Sequence, residues 1–184
     1  IISYLGSTGT VYLYDQMIKF FYKVTKYNKK EKFIFLIITR DNPNILIKKL
    51  IDLGYKSLIK NIRIVSASRS EVPNYLGISD LMLTLRMPSF SQKAASPTKI
   101  AESFSMGIPV ISNKGIGDVD EIIKKFNGGL TFNINSQNAF NKAASKINHI
   151  IKKGGKNLRE NTKQKFSLII AKKIYKEVYK CLEN

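Results

Sequence analysis

Ser96, Thr98, Lys99 and Glu102 fall within seven consecutive residues, SPTKIAE, of this 184-residue chain. Pro97 after a small polar residue, followed by apolar positions three and four apart, marks a helix start. There the free backbone amides, the Thr98 hydroxyl and the Lys99 ammonium all favour a phosphate. Glu102 lies one turn further on, where its carboxylate can accept hydrogen bonds from a ribose diol; a solvated surface glutamate is the bland alternative. A second candidate is the loop GSTG, with Gly6 and Ser7, which opens a helix and so also favours an anion. It lacks the third glycine of a dinucleotide fingerprint and the lysine of a P-loop, which leaves a plain tight turn as the competing reading. A third is the long polar segment RMPSFSQKAAS, residues 86–96, since open loops of that length are rarely kept for packing. Gly115 and Gly117 precede Asp118, a candidate helix cap, and their amides either contact a substrate or form an ordinary turn.

Bond-making chemistry has no comparable signature. No Ser/His/Asp set and no carboxylate pair within one loop stands out, so the catalytic residues stay unassigned. One cysteine, Cys181, and one histidine, His149, exclude a disulfide framework and a Cys/His zinc site, and no metal is expected. Cys181 is expected in the core, His149 on the surface, and Met87 and Met106 as gap-fillers. The formal charge of +18 calls for an anionic partner, namely nucleic acid, an anionic membrane surface or a phosphate-bearing substrate. Lysine outnumbers arginine 26 to 5, so biased amino-acid usage is an alternative source of that charge. The lysines are scattered along helix faces without interleaved aromatics, so nucleic acid is not the expected partner. No apolar run reaches the roughly 18 residues of a membrane span, and a reducing cytoplasmic setting is expected.

The elements that position these loops follow from alternating short β-branched runs and longer helical patterns. Strands are expected at residues 1–5, 33–39, 62–65, 81–85, 109–112 and 130–132. Helices are expected at 11–27, 44–53, 72–77, 97–106, 119–126, 138–153 and 158–182. The run FIFLIIT is apolar on both faces, as a central parallel strand is. The pattern predicts one α/β domain, a doubly wound six-stranded parallel sheet of Rossmann-like type. Ligands of such sheets bind beyond the carboxyl ends of the strands, at the switch in strand order. The loops of interest are therefore residues 6–10, 40–43, 66–70, 86–96 and 113–118. The chain opens on a strand, IISYLG, and a preceding domain is expected.

Leu5-Gly6, Ser79-Asp80-Leu81, PTKIAE at 97–102 followed by MGIPVIS at 106–112, GDVDEII at 117–123 and NGGL at 127–130 together resemble the C-terminal half of GT-B-fold glycosyltransferases of family four. The resemblance covers nearly the whole chain. It implies retaining sugar transfer from a nucleotide diphosphate sugar donor, bound by this domain, to a saccharide or lipid-linked acceptor bound by the chain's own N-terminal domain, in polysaccharide assembly. The donor is a substrate; no cofactor is implied. Glu102 matches the second glutamate of an E-x7-E motif that holds the donor ribose. The segment around Ser96 and Thr98 matches the diphosphate wrap, and residues 66–70 fall where the base is contacted. The first glutamate of the motif falls on Ala94. The family's basic pair after the first strand falls near Ser7 and Tyr12, so Lys93, Lys99 or Arg69 is expected to supply the missing charge. The last helix resembles one that crosses back to the partner domain, and the basic surface fits peripheral contact with the inner membrane face. The alternatives are a nucleotide-sugar 2-epimerase of the same fold and a non-catalytic basic binding module.

Overall fold

The computed structural model of the chain describes residues 1–96 and 98–182; Pro97, expected to open a helix, lies outside the described residues. Six strands form one sheet: β1 Ile2–Leu5, β2 Phe35–Ile38, β3 Ile62–Val65, β4 Leu81–Thr84, β5 Val110–Asn113 and β6 Gly129–Phe132. Their order is β3-β2-β1-β4-β5-β6 and every pairing is parallel. Strand order therefore reverses between β1 and β4, as the alternating pattern predicts.

Between them run α1 Tyr14–Tyr27, α2 Pro43–Asp52, α3 Val72–Gly77, α4 Thr98–Ser105, α5 Val119–Lys125, α6 Gln137–Ser145, α7 Ile147–Ile151, α8 Lys156–Phe166 and α9 Leu168–Leu182. Alternate residues of each strand feed two separate cores, because successive side chains point to opposite faces. Phe35, Ile37, Leu81 and Leu83 join Phe20, Leu50 and Phe140 of α1, α2 and α6. Leu36, Ile38, Met82 and Val110 join Ile100, Phe104, Val119 and Leu158 of α4, α5 and α8 on the other face. All four residues of β2 are buried, which is why its sequence is apolar without alternation.

Three helices depart most from the sequence expectation, each for a visible reason. α1 starts at Tyr14, not at residue 11, because the preceding residues pair with the chain just past β4. Tyr12 bridges Arg86, the Met87 amide donates to the Val11 carbonyl at 2.7 Å, and the Leu13 amide donates to the Leu85 carbonyl at 3.0 Å. The helix expected over 138–153 breaks at Lys146, and Ile147 and Ile150 then bury in the α1-side core. The helix expected over 158–182 starts earlier and breaks at Ser167, whose backbone is extended and whose hydroxyl accepts from the Ile170 amide at 3.3 Å. The loop 86–96 carries a single 3₁₀ turn, Ser91–Ala94.

Gly107 stops α4 as expected. Its φ is 76°, the Gly107 amide donates to Phe104 at 2.9 Å, and the Ile108 amide donates to Ser103 at 2.9 Å. That is a Schellman closure, which needs a left-handed residue. Cys181 is exposed on α9, not in the core, because α9 buries none of its residues. Met87 is likewise no gap-filler, being 46% exposed, whereas Met106 packs against the α4-side core. His149 is exposed.

Candidate functional site

A cavity of about 710 Å³ opens beyond the carboxyl ends of β1, β2 and β3, between α3 and α4. Leu5 and Ile38, the last residues of β1 and β2, lie at its base. Gly6 and Ser7 form one wall, and Thr39, Arg40 and Asp41 from the end of β2 form the next. Ala67, Arg69, Val72, Pro73 and Leu76 form a largely apolar wall, and Lys99, Glu102 and Met106 present one face of α4. The three-residue spacing of Lys99 and Glu102 along α4, with Met106 just past its end, places these last three on one side. An apolar slot with a few polar groups converging on it suits a planar ring attached to a charged chain.

The wall built by Gly6 and Ser7 is tied down from two directions. The Asp41 carboxylate accepts from the Thr8 amide at 2.5 Å and from the Thr8 hydroxyl at 2.6 Å. The Asp41 amide donates to the Thr39 hydroxyl at 3.1 Å. The Thr8 hydroxyl bond is the main reason the Asp41 carboxyl titrates below the ordinary carboxylate range. On the other side, the Tyr4 phenol donates to the Ser7 carbonyl, and burial drives that phenol far above its usual ionisation range. Gly6 has φ 141°, and a Cβ there would stand 2.5 Å from Lys99 Nζ, so its lack of a side chain lets the ammonium approach the loop.

The loop after β3 is closed on itself. Glu71 accepts from the Ser68 amide at 2.8 Å and the Ser68 hydroxyl at 2.6 Å, which holds its carboxyl in the ionised form and fixes the turn carrying Ala67 and Arg69. Lys99 donates to the Tyr12 hydroxyl at 3.0 Å. Glu102 is exposed on the cavity side of α4.

Of the eight residues singled out from sequence, Gly6, Ser7, Arg69, Lys99 and Glu102 meet around this cavity. Ser96, Thr98 and Lys93 do not line it. The Ser96 hydroxyl donates to Asp118 at 2.8 Å, pinning the chain entering α4 to the loop after β5. Thr98 is exposed at the first turn of α4, and Lys93 is exposed over the Phe90 ring at 5.9 Å. The Asp118 side chain does not cap α5. The Gly115 amide donates to Asp120 and the Gly117 amide to the Gln92 carbonyl, so both amides have partners within the fold. Thr39, Arg40 and Asp41 were not singled out from sequence, although the carboxyl-end rule points to their loop.

Tyr12 belongs to the same neighbourhood without lining the cavity. Lys99 Nζ lies 4.7 Å and the Arg86 guanidinium carbon 5.1 Å from its ring centroid. Among the described residues no group of three or more His, Cys, Asp or Glu side chains is placed to hold a metal ion, and no helix is long and apolar enough to cross a membrane.

No curated protein matches the chain in sequence. Solved structures do match in fold. The C-terminal domain of LpcC, a glycosyl transferase group 1 family protein from Francisella tularensis, is 19% identical with a TM-score of 0.64, over 91% of this chain and 86% of that one. A glycosyltransferase from Rickettsia africae is 22% identical with a TM-score of 0.66, over 97% of this chain and 47% of that one. WaaG, a glycosyltransferase involved in lipopolysaccharide biosynthesis, is 19% identical with a TM-score of 0.68, over 90% of this chain and 43% of that one. The chain thus spans less than half of the longer proteins and nearly all of the isolated domain. The family described as glycosyl transferases group 1 matches residues 1–168, and the chain accordingly belongs to the group 1 glycosyltransferases, with the Rossmann-like fold of a GT-B C-terminal domain.

Proposed function

We propose that the chain binds a nucleotide diphosphate sugar in the cavity between α3 and α4, as the donor half of a retaining glycosyltransferase. The observation that carries this reading is the convergence of Lys99 and Glu102, one turn apart on α4, with the Gly6–Ser7 wall and an apolar slot. Lys99 and the first-turn amides of α4 attract the phosphates, Glu102 accepts from the ribose diol, and the base lies against Ala67, Val72 and Pro73. Arg40 and Arg69 add positive charge at the rim.

The acceptor, a saccharide or lipid-linked saccharide, is bound by the remainder of a longer protein. The fraction of WaaG that the chain spans supports this, as does α9, whose Leu168, Ile169 and Leu182 are 70%, 81% and 76% exposed. That much exposed apolar surface on one helix marks a contact site. The lysines of α9 and the +18 charge suit an anionic membrane face beside it.

Calorimetric titration with a panel of nucleotide diphosphate sugars tests the reading. Micromolar binding of one of them, weakened about tenfold by Lys99→Ala or Glu102→Ala through loss of a charged hydrogen bond, is expected. Unchanged affinity in both variants sinks it. In the longer protein a labelled donor should yield sugar transferred to an acceptor; isomerised donor would indicate a 2-epimerase instead.

A further inference from the structure

Most of the excess charge, +18 in all, lies away from the cavity. The cavity opens at the carboxyl ends of the strands, and the loops of that edge, residues 6–13, 39–43, 66–71, 85–96 and 113–118, hold five cations and three carboxylates. At the opposite edge of the sheet lie the turns that lead into the strands, residues 26–34, 53–61, 78–80, 106–109 and 124–128. Residues 152–156 join them, since Lys153 donates to the Gly129 carbonyl at 3.2 Å and the Gly155 amide to the Gly107 carbonyl at 2.7 Å. Over nearly the same length of chain this edge holds eleven lysines and two carboxylates, Glu31 and Asp80. Biased amino-acid usage would load both edges alike and does not account for the difference.

Ten of the eleven lysines are exposed, and among the described residues none of the eleven forms an ion pair with a carboxylate. Glu31 instead accepts from the Asn148 side-chain amide at 2.7 Å. Like charges crowded without partners repel one another, a cost that an anionic surface relieves. The lysines extend across the whole sheet. Lys56 and Lys60 precede β3 at one margin, Lys124 and Lys125 precede β6 at the other, and Lys29, Lys30 and Lys32 precede β2. Six strands about 4.8 Å apart make that width about 24 Å, far more than one small anion covers. Large apolar side chains stand exposed among the lysines: Tyr27 at the end of α1, Ile51 and Leu53 at the end of α2, and Ile78 before β4. A nucleic-acid backbone would use the charge alone. A bilayer uses both, taking lysines at its head groups and apolar tips and a tyrosine ring at its interface.

We propose that the amino-end edge of the sheet docks on an anionic bilayer, with its lysines over the head groups and Tyr27, Ile51, Leu53 and Ile78 at the interface. This gives the membrane contact proposed above its place on the molecule and rests on that reading, not on the donor reading. The strands then meet the bilayer by their amino ends, and the cavity opens on the side away from it, where a dissolved ligand enters freely.

The test measures cosedimentation of the chain with vesicles of phosphatidylglycerol and phosphatidylcholine, against pure phosphatidylcholine as the neutral control. Binding to the anionic vesicles alone, fading as salt rises, is expected. One lysine near such a surface is worth about fivefold in partitioning, so Lys29→Gln, Lys30→Gln and Lys32→Gln together should weaken binding by about tenfold or more. The same triple variant should leave affinity for nucleotide diphosphate sugars unchanged. Lys114→Gln, Lys163→Gln and Lys165→Gln, which remove equal charge elsewhere, should leave vesicle binding nearly intact. Tyr27→Ser with Ile78→Ser should weaken it severalfold at constant charge, and binding indifferent to that pair overturns the seating of the apolar tips. Equal losses in the two triple variants reduce the effect to net charge and overturn the location. A loss confined to Lys172→Gln, Lys173→Gln and Lys176→Gln moves the contact to α9 and overturns it as well. Tighter binding of DNA or RNA than of vesicles, lost in the Lys29, Lys30 and Lys32 variant, overturns the bilayer as the partner. Absence of vesicle binding overturns the proposal while nucleotide titration still decides the donor reading, and vesicle binding without nucleotide binding does the reverse.

Discussion

Asp41→Ala should loosen the wall that Gly6 and Ser7 contribute to the cavity. The carboxylate holds Thr8 by its amide at 2.5 Å and by its hydroxyl at 2.6 Å, across 33 residues of sequence. Hydrogen bonds to a charged group contribute about 1.5–3 kcal/mol each. Asp41 is only partly buried, so solvent screening reduces each to roughly 1 kcal/mol. The variant should then lose about 2 kcal/mol, or roughly 4–8 °C in Tm for a chain of this size. A double-mutant cycle with Thr8→Ala, read by denaturant unfolding, isolates the hydroxyl bond and should give a coupling of about 1 kcal/mol. The bond also carries a pH signature. Because the folded-state pKa of Asp41 is lowered, its contribution is complete above the ordinary carboxylate value near 3.8 and fades as pH falls below that through the folded value. Asp41→Asn should flatten that part of the stability profile. Additive single-mutant effects, together with an unaltered acid limb, would refute the claim that this pair holds the wall.

Gly117→Ala should be severe, since φ is 41° and a Cβ would stand 1.7 Å from the Ala95 carbonyl oxygen. A left-handed alanine alone costs about 1–2 kcal/mol, and the displaced carbonyl moves the chain leading into α4, so thermal unfolding and nucleotide affinity should fall together. Phe104→Ala should cost about 3–5 kcal/mol by cavity formation, because the ring is fully buried and packs edge-on against Phe126 at 6.0 Å; chemical denaturation measures it. Gly128→Ala drives a methyl to 2.4 Å from the same ring, and melting should show a loss that Phe104→Leu partly restores.

Those perturbations divide along a line that also separates what the sequence shows from what it hides. The strands were legible because burial on both faces leaves runs such as FLII, and the end of α4 because a left-handed position selects Gly107. Helix starts and breaks were less so, since they depend on partners far away. Residues 11–13 continue an acceptable helical pattern, yet pairing with residues 85–87 satisfies their backbone groups first. Cys181 misled for a related reason. Helical periodicity reports that one face of α9 is apolar, and it carries no information about what covers that face.

The same limit governs the site, where the decisive contacts join residues 33 and 87 positions apart. Scanning the loop after β1 for basic residues finds Ser7 and Tyr12 and suggests a deficit of positive charge. In space two cations come to that loop's neighbourhood from elsewhere. Lys99 Nζ reaches the back of Gly6 and bonds the Tyr12 hydroxyl, and Arg86 arrives at the same ring from the end of β4. Which charges stand at this sheet edge is therefore set by the side chains that the crossovers bring to one point, and the Tyr12 ring is where two of them meet.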